Sequence, residues 1–315
     1  MKKKVIIDCD VGVDDALALI LAFHSPELEV KAITAVNGNV PLEKVFINVQ
    51  KVLCLIRPQQ CPIIAKGADH PLRGEPHYSH SVHGENGLGG VKINQREEEE
   101  CWQIFPGRAD ELITQMACQY PGEITLLAIG PLTNLALALR EDPQGMRQLK
   151  EIVVMGGAVR VPGNVTPYAE FNIHVDPLAA KMVFESGLPI TLVPLDVTHR
   201  VFLSLRLIEG RVKPLRDPFS QFVVEATGYS SQDGKFRARA EVFHLHDPLA
   251  VGTLIDPDLV QKERLSISVE AQEGEHYGQT SASPGKGAPD GPNLEVCLGV
   301  KSEKFLEFFL SRLGG

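Results

Sequence analysis

The sequence predicts an α/β fold: a single domain with a mostly parallel central sheet flanked by helices. Short apolar runs alternate with amphipathic stretches from the first residues onward, a βαβ rhythm typical of a parallel sheet. Turn residues and polar side chains follow directly where the predicted strands end. Because ligands bind beyond the carboxyl ends of such strands, we expect the active site there. No linker divides the chain, so one domain is predicted over residues 1–315.

The predicted elements follow one another in a regular order. Strands are predicted at residues 3–9, 28–36, 63–65, 124–129, 152–155, 190–193 and 294–300. Helices are predicted at residues 14–23, 42–56, 107–119, 135–139, 177–185 and 302–313, from apolar spacing or a capping residue. We expect residues 198–255 to be mainly helical. Residues 66–106 and 272–292 are expected to be loops, and a loop as long as the first is usually functional, which makes its His83 a candidate gate over the active site.

Composition and charge exclude several classes of protein. The chain has 31 Lys and Arg against 40 Asp and Glu, with no basic stripe, which argues against a nucleic-acid partner. No run of about 18 apolar residues is present, so no membrane span is expected. The six cysteines form no CxxC pair and are interpreted as free thiols. Free thiols are typical of a reducing compartment, so we expect a cytoplasmic protein.

Four carboxylates between the first predicted strand and helix give the strongest chemical signal. Asp8, Asp10, Asp14 and Asp15 lie within eight positions. Charges this close repel strongly unless protons or a cation neutralise them. Helix capping accounts for Asp14 and Asp15 but not for the two upstream residues. Oxygen ligands suit a hard cation, Ca²⁺ or Mg²⁺.

Two further segments carry polar groups of a kind that binds small molecules. Asn164, Glu170 and Asn172 offer amide and carboxylate groups that can hydrogen-bond hydroxyls. The sequence His244-Leu245-His246-Asp247-Pro248 places histidine beside an aspartate that could bind metal. An ordinary polar loop and a helix cap would explain each segment taken alone.

Taken together, the motifs resemble the inosine-uridine-preferring nucleoside hydrolases. The matching segments are DCDVGVDD at 8–15, GN at 38–39, HGENGLGG at 83–90, GPLTN at 130–134, MGG at 155–157, GNVTPYAEFNIHVDP at 163–177 and HDP at 246–248. They occur in order along essentially the whole chain. The resemblance implies a Rossmann-like nucleoside hydrolase fold. It also implies Ca²⁺-dependent hydrolysis of the N-glycosidic bond of ribonucleosides in nucleoside salvage, by a homodimer or homotetramer.

The resemblance also implies a role for each matching residue. Implied Ca²⁺ ligands are Asp10, Asp15, Asp247 and the backbone carbonyl of Ile129. Asp10 would also be the general base, and His246 the acid for the leaving base. The implied substrate-binding residues are Asp14, Asn39, His83, Met155, Asn164, Glu170, Asn172 and Tyr229, while Asp8 would support the cluster from behind.

Some alternatives stay open at this point. His83 or His244 could replace His246 as the acid, and the preferred base could be a purine, a pyrimidine or a modified base. A Mg²⁺-dependent phosphohydrolase would use Asp8 as its nucleophile and release phosphate. A non-catalytic nucleoside-binding protein would bind without turnover.

Overall fold

The computed structural model describes residues 2–93, 101–227, 242–283 and 293–313. The strands are β1 (Lys3–Cys9), β2 (Leu28–Ala35), β3 (Ile63–Lys66), β4 (Gln103–Ile104), β5 (Ile124–Ala128), β6 (Glu151–Met155), β7 (Ile190–Val193), β8 (Phe202–Ser204), β9 (Val242–His244), β10 (Val260–Val269), β11 (Thr280–Ser283) and β12 (Leu294–Val300). The α-helices are α1 (Val13–Phe23), α2 (Leu42–Ile56), α3 (His80–His83), α4 (Ala109–Gln119), α5 (Thr133–Glu141), α6 (Pro143–Met146), α7 (Phe171–Val175), α8 (Pro177–Phe184), α9 (Leu195–Thr198), α10 (Leu205–Leu207), α11 (Pro218–Thr227), α12 (His246–Ile255) and α13 (Ser302–Leu313). Short turns of π-helix (Ile208–Val212) and 3₁₀-helix (Lys213–Leu215, Pro257–Leu259) complete the list.

In the described part of the chain, ten strands form one sheet in the order β11-β10-β12-β7-β6-β5-β1-β2-β3-β4. The pairs from β12 to β4 are parallel, and β10 and β11 add an antiparallel edge. The chain leaves the central strand β1 towards β2 and then returns to add β5 on its other side. This reversal makes the β1–β5 boundary the topological switch point, where an open α/β sheet binds its ligand.

Helices cover both faces of the sheet and bury two apolar cores. Successive side chains of a strand point to opposite faces. Accordingly Val5 and Ile7 of β1 belong to one core and Ile6 to the other. Helix α1 is buried along nearly its whole length, so the turn that leads into it is held in the middle of the molecule.

The predicted α/β fold with a mostly parallel sheet is confirmed, and the predicted strands and helices lie within a few residues of the observed ones. The described part of residues 198–255 is mainly helical, as expected, but β8 and β9 add an antiparallel ribbon that was not expected. Strand β10 was missed, and β11 lies inside an expected loop. Their residues are half exposed at a sheet edge, so they lack the continuous apolar run of a central strand.

The cysteine prediction was wrong for two of the six residues. Cys61 and Cys101 form a disulfide that closes a loop of 40 residues, whereas the thiols of Cys9, Cys118 and Cys297 are free. The partners lie just before β3 and β4, two neighbouring strands at one end of the sheet, and that pairing could not be read from their spacing in the sequence. Within the described ranges, none of the helices has the length and apolar character needed to cross a bilayer.

Candidate active site

A cavity of about 360 Å³ opens at the carboxyl ends of the central strands. This is within the size range of small-molecule sites. Ten of the predicted site residues line it: Asp14, Asn39, His83, Ile129, Met155, Asn164, Glu170, Asn172, His246 and Asp247. Asp10 and Asp15 are fully buried beside it. Tyr229 lies outside the described residues.

The turn after β1 is held by hydrogen bonds to its own carboxylates. Asp15 Oδ2 accepts from the backbone N–H of Gly12 at 2.8 Å and from Asn39 Nδ2 at 3.1 Å, and its Oδ1 accepts from Asp10 N at 3.2 Å. Asp10 Oδ2 accepts from the backbone N–H of Asn39 at 2.7 Å. A Cβ at Gly38 would lie only 2.0 Å from that oxygen, so glycine is required for the close approach of the β2 end. The two strand ends therefore fix both carboxylates.

The carboxylates of Asp14, Asp15 and Asp247 approach one another closely, with one oxygen from each lying within 4.8 Å of the others. Asp10 Oδ1 and Asp14 Oδ1 are buried and have no hydrogen-bond partner among the described residues. Asp247 arrives from the first turn of α12, far along the chain. The grouping differs from the implied ligand set in one respect, since Asp14 rather than Asp10 joins Asp15 and Asp247.

Burial and mutual repulsion leave these carboxylates poorly stabilised as anions. Burial, followed by the charge of Asp15, raises the pKa of Asp14 to about 8. Burial raises the pKa of Asp15 to about 6, and burial with neighbouring carboxylates raises the pKa of Asp10 and Asp247 well above the usual range. A cation would remove this penalty. Unpartnered carboxylate oxygens in an all-oxygen cluster fit a hard cation such as Ca²⁺ or Mg²⁺.

Asp8 precedes this cluster near the end of β1 and is not among the residues that line the cavity. It is fully buried, and its Oδ1 accepts from Thr34 Oγ1 at 2.5 Å and from Asn134 Nδ2 at 2.8 Å. Asn134 also accepts from the backbone N–H of Ala68 at 2.8 Å. The sequence motif at 130–134 marked Asn134 but not this contact. A carboxylate held in this way is poorly placed to be the nucleophile of a phosphohydrolase.

Glu170 faces the cavity from the N-terminus of α7. Its Oε1 accepts from Asn172 N at 2.9 Å, and its Oε2 accepts from the backbone N–H groups of Gly157 at 2.9 Å and Ile173 at 3.2 Å. These bonds are those of a helix N-cap. They orient a carboxylate whose pKa is raised by burial. Asn164 is exposed at the rim, where its Oδ1 accepts from Phe171 N at 3.0 Å.

Asn172 joins the ends of β5 and β6. Its Nδ2 donates to the carbonyl oxygens of Ile129 at 2.9 Å and Met155 at 3.1 Å. This leaves the amide oxygen Oδ1 for other donors. The Ile129 carbonyl thus lies at the cavity wall, and it has a second lone pair beside the one that Asn172 engages.

Histidines line the opposite part of the cavity. His83 in α3 accepts the backbone N–H of Val13 on its Nδ1 at 3.0 Å. His246 Nδ1 lies 2.7 Å from Thr198 Oγ1. Burial and the neighbouring imidazoles, His244 first, lower the pKa of His246 well below its usual value. His199, which sequence reasoning did not mark, packs 5.2 Å from His244 and 5.7 Å from His246 between ring centroids.

The known proteins that this chain resembles are nucleoside hydrolases. The family model for inosine-uridine preferring nucleoside hydrolase matches residues 5–307. The pyrimidine-specific ribonucleoside hydrolase RihA of Salmonella gallinarum is 37% identical over 314 residues, which cover 99% of each chain. Among solved structures, a plant nucleoside hydrolase, PpNRh1, superposes with a TM-score of 0.89 at 31% identity and full coverage of both chains. A purine-preferring ribonucleoside hydrolase from Gardnerella vaginalis gives 0.88 at 31% identity, covering 99% of this chain and 98% of that one.

Proposed function

Since the chain belongs to the inosine-uridine preferring nucleoside hydrolase family and is a ribonucleoside hydrolase, we propose that it cleaves the N-glycosidic bond with Ca²⁺ as cofactor, in nucleoside salvage. The buried carboxylate cluster, with its unpartnered oxygens at the cavity floor, is the observation that carries the proposal. The proposed ligands are Asp10, Asp15, Asp247 and the Ile129 carbonyl, with Asp14 within reach. When bound, the ion would supply Lewis-acid activation of water and of the ribose hydroxyls.

The chain's own residues account for the remaining chemistry. Asp10 is the proposed general base, because its Oδ1 has no protein donor among the described residues. Asp14, Asn39 and Asn172 are proposed to hold the ribose 2′- and 3′-hydroxyls. Glu170 and Asn164 are proposed to bind the 5′-hydroxyl, and Met155 to line the sugar pocket.

The proton balance uses two protein groups. Water attacks the anomeric carbon and gives its proton to Asp10, while the C–N bond breaks and its electron pair goes to the base. His246 is proposed to assist the departing base by donating a hydrogen bond that stabilises the negative charge developing on it. Solvent then protonates the base and takes the proton from Asp10. His83 and His244 line the base side as substrate contacts, and Tyr229 is proposed to cover the base.

Pyrimidine ribonucleosides are the proposed preferred substrates. The support is comparative, because the relatives at 37% identity are named pyrimidine-specific whereas the purine-preferring structure is at 31%. Assembly as a homodimer or homotetramer is proposed from the same relationship. Light scattering coupled to size-exclusion chromatography measures it directly.

A turnover panel tests the function. Uridine, cytidine, inosine, adenosine and modified nucleosides are incubated with Ca²⁺-loaded protein, and free base and ribose are measured with and without phosphate. We expect phosphate-independent release, fastest with a pyrimidine, and none from Asp10→Ala. Full activity after chelation would contradict the proposed cofactor. Tight nucleoside binding without turnover would contradict the proposed reaction and favour a binding protein.

A further inference from the structure

Thr198 joins the site from an element that the proposed mechanism does not use. It ends α9, directly after β7, and is fully buried. Its backbone is already paired, with its N–H on the Pro194 carbonyl and its own carbonyl accepting from Val201 N. The side-chain hydroxyl contacts Nδ1 of His246, the first residue of α12, at 2.7 Å. The contact therefore connects two elements 48 residues apart at the cavity wall.

The direction of this hydrogen bond follows from the donors and acceptors present. A threonine hydroxyl has one hydrogen, and within the described part of the chain Thr198 Oγ1 has one partner, His246 Nδ1. If the hydroxyl only accepted, its hydrogen would be buried without an acceptor, at a cost of about 1–3 kcal/mol. The hydroxyl therefore donates. Nδ1 of His246 is the acceptor, and the ring proton lies on Nε2.

We infer that Thr198 is a positioning residue for the leaving-group step: it holds His246 in the Nε2–H tautomer and directs that N–H into the cavity. The inference rests on the proposed function. A neutral imidazole has one N–H, so the opposite tautomer would present a lone pair to the base and repel its acceptor atoms. A carbonyl oxygen or an unprotonated ring nitrogen of the base is the group that accepts from Nε2.

The second cavity histidine shows the same arrangement. His83 Nδ1 accepts the backbone N–H of Val13, which places the ring proton of neutral His83 on Nε2 as well. Two unrelated donors, a side-chain hydroxyl and a backbone amide, thus fix the same tautomer in two imidazoles of one wall. This agreement favours a site built for hydrogen-bond acceptors on the leaving base.

Thr198→Val and Thr198→Ser test the inference, since valine keeps the shape without the hydroxyl and serine keeps the hydroxyl. Two substrates are compared: uridine, and p-nitrophenyl β-D-riboside, whose nitrophenolate leaves without a proton. We expect Thr198→Val to lose about tenfold or more in kcat on uridine, with KM little changed, because the hydrogen bond that stabilises the departing base is lost in the other tautomer. On the nitrophenyl riboside the loss should be under about twofold, and Thr198→Ser should recover most of the uridine rate.

A spectroscopic measurement separates this inference from the function itself. The ¹⁵N shifts of His246, assigned by comparison with His246→Gln, should report the Nε2–H tautomer in the wild type and a mixture in Thr198→Val. An Nδ1–H tautomer in the wild type would overturn the inference. So would an equal loss by Thr198→Val on both substrates, or no loss on uridine. A wild-type protein that hydrolyses no nucleoside would overturn the proposed function, and the ¹⁵N result would still decide the role of Thr198.

Discussion

Calcium affinity should rise steeply between pH 6 and pH 8, because the cation must displace protons from the buried carboxylates. Burial and repulsion raise the pKa of Asp14 to about 8 and that of Asp10 and Asp247 well above the usual range. We therefore expect the metal-free site to hold at least one carboxyl proton at pH 7. Each proton released raises the affinity about tenfold per pH unit, or about 1.4 kcal/mol. We expect a rise of about 100-fold or more across the two units.

The same carboxylates give a stability prediction with a definite sign. The pKa of Asp14 is raised from 3.8 to about 8 on folding, so its contribution to stability is full below about pH 4. That contribution is lost as the pH rises through about 8. Chelated protein should therefore lose stability over this range. Saturating Ca²⁺ should restore it, so the gain in Tm on adding Ca²⁺ grows with pH.

Calorimetric titration of Ca²⁺ in two buffers of different ionisation enthalpy counts the protons released. Asp247→Asn should lower both the affinity and the proton count. Asp196→Asn is the matched control, because Asp196 is also buried but accepts from the backbone N–H groups of Val159 and Arg160 outside the cluster. An affinity that does not change between pH 6 and 8, with no proton released, would refute the reasoning.

Three further predictions concern single residues. Asp10→Asn should lower kcat by about 10²–10⁴ by removing the general base, whereas Asp8→Asn should cost under about tenfold; equal losses would contradict the supporting role of Asp8. Glu170→Gln should lower kcat/KM for uridine towards its value for 5′-deoxyuridine. If the ratio of kcat/KM for the two substrates did not change, Glu170 would not be a contact of the 5′-hydroxyl. Reduction of the Cys61–Cys101 disulfide should lower the free energy of unfolding by about 4 kcal/mol for its 40-residue loop, measured by urea denaturation. The free energy of unfolding of Cys61→Ser should not change when reductant is added. An equal change in this variant and in the wild type would contradict the disulfide.

Local patterns were sufficient for the central fold. The residues of β1 form an apolar run, the turn after them is acidic, and the residues of α1 are again largely apolar. Each of these patterns predicts one kind of element, and the structure has that element in each place. The parallel arrangement then requires that polar residues at strand ends meet at one edge. For this reason Asp10 and Asn39 could be placed together from sequence before any contact was known, whereas Ile129 was named by the resemblance to the family.

Long-range pairings could not be predicted in this way. Asn134 and Asp8 are 126 residues apart, and nothing local in the GPLTN motif indicates that its amide serves a carboxylate on another strand. The Thr198–His246 contact is of the same kind, because threonine at a helix end is usually explained by the helix alone. The edge strand β10 was missed because its half-exposed residues resemble those of a loop.

The two halves of the cavity differ in how strongly the fold constrains them. On the metal and ribose side, Asp10 accepts from the backbone N–H of Asn39 and Asn172 donates to the backbone carbonyl of Ile129, each at the end of another strand. Replacing such a residue removes a hydrogen bond between two strand ends as well as a polar group of the site. Each buried hydrogen bond that is lost costs about 1–3 kcal/mol of stability. On the base side, His244 lies on a two-stranded ribbon outside the main sheet, and its Nδ1 has no hydrogen-bond partner among the described residues. Substitution there leaves the core intact, so the choice of base can change while the bond that is cut stays the same.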